Sequence, residues 1–240
     1  GNPLYDWEFH AADGYRWWIQ RMQHALDHAD LVRIDHFRGF ESFWSVVYGA
    51  ETAREGQWLP GPGHALFTAL KAALGQLSIV AEDLGIITAE VDQLRLDHGI
   101  PGMKVLQFEV ADPDFDPTDI PRDCVCYTAT HDNDTTVGWF NGGNGDTRTG
   151  QELLQTRQNL LQLTGGAPET IHLDMIRLAL DSPARLAIAP LQDYLGLGSE
   201  ARLNIPGTTM NNWRWRVRDE QLSPAFCDSV ARMLEKSSRI

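Results

Sequence analysis

The sequence predicts an α/β fold, a parallel sheet whose strands are joined by helical crossovers. Two observations carry this. Short apolar runs alternate with amphipathic stretches along most of the chain. Several of those runs end in acids, and in such folds ligands gather beyond the carboxyl ends of the strands. With 240 residues, 42% of them hydrophobic, the chain has material for one substantial core or two small ones.

The elements follow in order. Residues 13–29, DGYRWWIQRMQHALDHA, place apolar and aromatic side chains at helical intervals behind Asp13 as N-cap. LVRIDHF, residues 31–37, is the first strand. The Gly- and Pro-rich GAETAREGQWLPGPG reads as a loop, and HALFTALKAALG as a helix. LSIVAEDLG is a second strand ending in acids, and TAEVDQLRLDHG a helix. GMKVLQFEV then reads as a strand, as does CVCYTATHD after the acidic, solvated loop DPDFDPTDIPRD. RLAIAPLQDYLG follows the helical ETIHLDMIRLALDS, and the tail from residue 221 reads as a final helix. Strands separated by helices pair in parallel. Five strands cannot close an eight-stranded barrel, and no composition break places a domain boundary.

A formal charge of -13, from 20 basic against 33 acidic residues, argues against a nucleic-acid partner and favours neutral or cationic ligands. No apolar run approaches the roughly 18 residues that cross a bilayer, so no membrane association is expected. The start, GNPLYDWEFH, has no signal-peptide pattern, and because Gly1 is not an initiator Met a longer parent protein is expected. Cys124, Cys126 and Cys227 are odd in number and lack C-x-x-C spacing. They read as reduced, buried and structural, which suits a reducing cytoplasm.

Three strand ends carry acids: Asp35 in VRIDHF, Glu82 in IVAEDLG and Asp132 in TATHDNDT. Any one alone reads as a helix cap or a loop charge. Three with matching placement suggest carboxylates converging on one pocket. That arrangement suits cleavage of a glycosidic bond, which needs a carboxylate nucleophile and a carboxylic acid about 5 to 5.5 Å apart for retention. Arg33, two residues before Asp35, is expected on the same face of the strand, where its charge balances and orients a buried carboxylate.

VRIDHFRGF, VAEDLG and THDNDTTVGW, with GNPLYDW, WLPGPG, PGMKVLQFE, NIPGT and NWRWR, resemble regions of the 4-alpha-glucanotransferases known as amylomaltases or disproportionating enzymes, glycoside hydrolase family 77. The order and spacing of these fragments, which span nearly the whole chain, make the resemblance specific. It implies a (β/α)8 TIM-barrel type, with residues 1–240 forming one partial catalytic barrel domain of about strands 4 to 8. The N-terminal barrel half would lie in the full-length protein. It also implies a retaining transfer of alpha-1,4-glucan segments between maltooligosaccharides, with no cofactor. Asp35 would be the nucleophile, Glu82 the acid and base, and Asp132 the group that holds sugar hydroxyls and favours the distorted ring. Arg33 and His131 would bind substrate beside them.

Other residues stay open. His36 reads equally as a sugar contact or as a hydrogen-bond partner behind the site, and Asn204 as a pocket residue or a turn residue. Asp83 points away from Glu82 along the strand and reads as structural. Trp44, Trp58 and Trp139 are sugar platforms or core aromatics. His131, Asp132 and Asp134 resemble part of a calcium loop but lack the glycine and distal glutamate of an EF-hand, so no metal is expected. An alpha-amylase-like hydrolase would use the same carboxylates, closure of the acceptor site deciding between water and sugar. A poorly active fragment is the third reading, since a sheet without its neighbours exposes edges.

Overall fold

The computed structural model describes residues 3–143, 145–237 and 239, so the first two residues of GNPLYDW lie outside it. The chain divides into two compact units, Gly1–Met103 and Lys104–Ile240.

The first unit runs α1 (Trp7–Ala12), α2 (Arg16–Leu26), β1 (Val32–Ile34), β2 (Ser42–Ser45), β3 (Gln57–Pro60), α3 (Gly63–Leu74), β4 (Ile79–Ala81) and α4 (Ala89–Asp97). β1 and β4 pair in parallel, Val32 against Ile79, Arg33 against Val80 and Ile34 against Ala81. Leu66, Phe67 and Leu70 on α3 and Val91 and Leu94 on α4 bury their side chains in a core with Phe37, Phe40, Ile34, Ile79 and Ala81. α3 ends at Gly75, whose φ of 77° a residue with a Cβ would adopt at a cost.

Three expectations for this unit change. Asp13 closes the C-terminal end of α1 while its side chain accepts from the Arg16 N–H at 3.3 Å, and α2 begins at Arg16 behind Tyr15, which sits in the left-handed region at φ 58°. The strand LVRIDHF shortens to three residues, with Asp35 and His36 in a turn and Phe37–Phe40 in a tight helical turn. The expected loop contains β3, which pairs antiparallel with β2 and sets Trp58 opposite Trp44.

β5 (Gly102–Val105) runs into the second unit, which continues with α5 (Leu106–Glu109), β6 (Cys124–Tyr127), α6 (Thr136–Asn141), α7 (Gly150–Thr164), α8 (Ile171–Asp181), β7 (Leu186–Ile188), α9 (Leu191–Tyr194) and α10 (Pro224–Lys236). The sheet has the order β5-β6-β7, and β6 and β7 are parallel, with Cys126 beside Ala187. Leu106, Cys124, Cys126, Leu160, Ile171, Met175 and Ala179 form its core. α7 starts with a capping box: Thr149 accepts from the Glu152 N–H, and Glu152 from the Thr149 N–H. Cys124 and Cys126 are buried as expected, but Cys227 on α10 is exposed. Among the described residues no helix is long and apolar enough to cross a membrane.

Asp193 on α9 ties the second unit together. Fully buried, it accepts hydrogen bonds from the Thr128 hydroxyl at 2.7 Å, the Thr136 N–H at 2.7 Å and the Thr136 hydroxyl at 2.8 Å. Burial pushes its carboxyl up from the ordinary value, and the three donors pull the other way without cancelling that. The folded state therefore holds the proton more tightly than the unfolded one. This contribution to stability is full below the ordinary aspartate range and is lost as pH rises through the higher folded-state value. Asp193→Ala, which strands buried donors, is expected to lower unfolding stability by about 3 kcal/mol in urea titrations. Asp193→Asn keeps an acceptor, should cost less, and should flatten the decline in stability above the ordinary aspartate range.

Candidate functional site

The residues predicted to act together fall into two groups, one in each unit. In the first, the parallel pairing of β1 with β4 sets the geometry. Ile34 and Ala81 are the last paired residues, so Asp35 and Glu82 leave adjacent strands at the same level. The ladder does not stop there: the Glu82 N–H donates to Ile34 O at 2.8 Å and the Phe37 N–H to Glu82 O at 3.0 Å. The Glu82 carboxylate receives two more main-chain donors, His36 N–H on Oε2 at 2.7 Å and Leu84 N–H on Oε1 at 3.0 Å.

Arg33 bonds Asp35 as predicted, Nη2 to Oδ1 at 2.6 Å, but not from within one strand. Asp35 lies in the turn, and its side chain is 78% exposed against 28% for Arg33. The expectation of a buried carboxylate therefore fails. An ion pair this open contributes about 0 to 1 kcal/mol, so its effect is orientation more than stability. The buried Nε of Arg33 has no hydrogen-bond partner among the described residues. Asp35, Arg33 and His36 line a cleft of about 450 Å³ together with Tyr5, Trp7 and Trp18.

Asp83, expected to be structural, is. Its Oδ1 accepts from the Met103 N–H at 2.8 Å and its Oδ2 meets Arg95 Nε at 3.1 Å. Trp44 and Trp58 are exposed side chains in edge-to-face contact at 5.5 Å, and the Arg38 guanidinium lies 4.4 Å from the Trp58 ring centre.

In the second unit, His131 and Asp132 sit in the loop after β6, shaped by Asn133, whose side-chain oxygen accepts from the Thr130 N–H and hydroxyl at 2.9 and 2.7 Å. Asp132 Oδ1 accepts from Asn204 Nδ2 at 2.6 Å, and its Oδ2 lies 3.4 Å from His131 Nε2. Asn204 is thereby brought to the candidate acid across 72 residues of sequence. The His131 ring lies 5.4 Å from that of Trp213 in NWRWR.

Arg202 escaped the sequence reading. It bonds Asp132 O at 2.7 Å and Asn204 O at 2.8 Å, bridging the two loops. Its one signal was its place two residues before Asn204. Trp139 packs against the second core, with the Arg148 guanidinium 4.6 Å from its ring centre. Arg148 also holds the Asp146 carboxyl below its usual range, chiefly through their hydrogen bond. Of the candidate metal ligands, Asp134 is buried with its Oδ2 accepting from the Ser199 hydroxyl at 2.5 Å. Among the described residues no group of three or more His, Cys, Asp or Glu side chains is placed to hold a metal ion.

Comparison with known proteins adds an independent line. A protein from Synechocystis described as 4-alpha-glucanotransferase is 50% identical over 230 residues, 93% of this chain and 44% of its own length. One from Streptococcus pneumoniae with the same description is 45% identical over 234 residues, again 44% of its length. The chain thus spans about half the length of the curated relatives it matches. The amylomaltase of Streptococcus agalactiae, solved in complex with acarbose, superposes with a TM-score of 0.86 at 32% identity, covering 99% of this chain and 48% of that one. The fold is thus the mixed α/β, TIM-barrel class of that enzyme, present in part. The model of the 4-alpha-glucanotransferase family matches residues 1–222, and with these relatives it shows that the chain belongs to that family, glycoside hydrolase family 77.

Proposed function

We propose that the protein to which this chain belongs is a 4-alpha-glucanotransferase that moves alpha-1,4-glucan segments between maltooligosaccharides with retention. One observation carries the proposal: Asp35 and Glu82 emerge side by side from paired parallel strands, and the amide next to Asp35 binds the Glu82 carboxylate. In a retaining double displacement, Asp35 attacks C1 while Glu82 gives its proton to the departing oxygen; Glu82 then takes a proton from the incoming 4-hydroxyl. Arg33 orients Asp35 where both line the cleft. Asp132, held by Asn204 and His131, serves the sugar hydroxyls and the distorted ring. Residues 1–240 are one partial barrel domain in this reading, completed by an N-terminal half in the whole protein, and a reducing cytoplasm suits the buried cysteines Cys124 and Cys126.

The test is incubation with maltotriose, following free glucose and longer maltodextrins together. Transfer gives glucose and a ladder of longer chains; glucose and maltose without longer chains mark a hydrolase and overturn the proposal. Asp35→Asn is expected to lower the rate at least about a thousandfold by removing the nucleophile. Asn204→Ala removes a hydrogen bond to a carboxylate and should lower kcat/KM about ten- to a hundredfold. An unchanged kcat/KM would remove Asn204 from the site.

A further inference from the structure

His36 is one of four described residues other than glycine with a positive φ, and it follows Asp35 directly. At φ 49° and ψ 51° its backbone is left-handed, a conformation uncommon outside glycine that histidine tolerates better than β-branched residues do. The turn is pinned on both sides. The Glu82 N–H binds Ile34 O before it, and the Phe37 N–H binds Glu82 O after it. Pinned in this way, His36 sends its own N–H 2.7 Å from Glu82 Oε2, while the Leu84 N–H reaches Oε1 at 3.0 Å. The imidazole goes elsewhere: a Cβ added to Gly39 would lie 3.1 Å from His36 Cδ2, so the ring packs over that glycine.

We propose that His36 acts through its main chain as a positioning residue: its left-handed turn aims an amide at Glu82 and, with the Leu84 amide, forms a cradle for the carboxylate that Glu82 becomes when it gives up its proton. The inference rests on the assignment of Glu82 as the acid. In the first half-reaction a bond forms between Asp35 and C1, and the bond from C1 to the glycosidic oxygen breaks. Its electron pair stays on that oxygen, which takes the Glu82 proton. The charge left on Glu82 falls between two fixed N–H donors, and a carboxylate has lone pairs enough to accept both and still face the substrate. In the second half-reaction the acceptor 4-hydroxyl returns the proton as its oxygen displaces Asp35.

In the first half-reaction the cradle matters only when a proton must be delivered, and this gives a test that a general structural role would not satisfy. With a maltosyl fluoride donor, C1–F breaks and fluoride departs with its electron pair, needing no proton. The measured quantity is the ratio of the first half-reaction in a single turnover on maltotriose, read as glucose released, to that on maltosyl fluoride, read as fluoride released. His36→Val places a β-branched residue where φ is positive, and should lower that ratio about ten- to a hundredfold, the scale of losing one such donor. His36→Asn tolerates the left-handed region and should keep the ratio within about threefold of the parent. If both variants lower the ratio alike, the imidazole carries the role and the proposal fails. It fails equally if His36→Val lowers both turnovers together.

A second measurement does not need turnover. In the ¹H–¹⁵N spectrum of the whole chain, Glu82→Gln should move the His36 and Leu84 amide resonances and speed their hydrogen exchange, and His36→Val should do the same at Leu84. Unmoved amides overturn the cradle. Amides that respond in a protein that transfers no glucan would instead leave the cradle standing and count against the assignment of Glu82 as the acid.

Discussion

The first unit's candidate site depends on the parallel pairing of two three-residue strands. β1 and β4 are too short to be stable alone, and they are held by the core beneath them, where Ile34, Ile79 and Ala81 are buried with Phe37 and Phe67. Their register determines which side chains leave the sheet together, and a slip of one residue would exchange the two faces and part Asp35 from Glu82. The ladder carries on beyond both strands through Ile34 O and Glu82 O, so the turn that bears Asp35 is built as an extension of the sheet.

This ordering of causes explains why the ion pair is a small part of the stability. Arg33 and Asp35 are close, but the carboxylate faces solvent, and an exposed pair is screened. Main-chain donors are different. The His36 and Leu84 amides are fixed by backbone already committed to the fold, so directing them at Glu82 costs no further side-chain ordering.

Much of this was legible in the sequence, for identifiable reasons. The strands that hold the acids are apolar runs cut off by charge, and the helices α3, α4 and α8 bury residues at the intervals their sequences show. Pattern also sufficed for Asp83, whose opposite direction from Glu82 takes it to Met103 and Arg95. What failed were places where hydrogen bonds between distant residues override local pattern. β3 lies in a Gly- and Pro-rich stretch and exists because β2 pairs with it. GMKVLQFEV reads as one strand, but after Val105 the chain turns helical; there Gln107 is buried and donates to Asp134 O at 2.9 Å. The left-handed turn at His36 has no glycine to announce it. Arg202 could be found only once the NIPGT loop was placed against Asp132.

The two candidate groups solve the same orientation problem with different partners, and the difference follows from what each loop offers. In the first unit a cation meets Asp35, and the open geometry leaves that carboxylate facing the cleft. In the second, the neutral amide of Asn204 fixes Oδ1 of Asp132, the His131 ring lies 3.4 Å from Oδ2, and Arg202 donates to carbonyls that join the two loops. With about four lone-pair sites on a carboxylate, these two neighbours leave Asp132 room for a ligand hydroxyl. Asp132 is thus built to accept further hydrogen bonds. Its rigidity comes from Asn133, Thr130 and Arg202 acting on the backbone around it, so the loop holds its shape while the carboxylate keeps its capacity to bind.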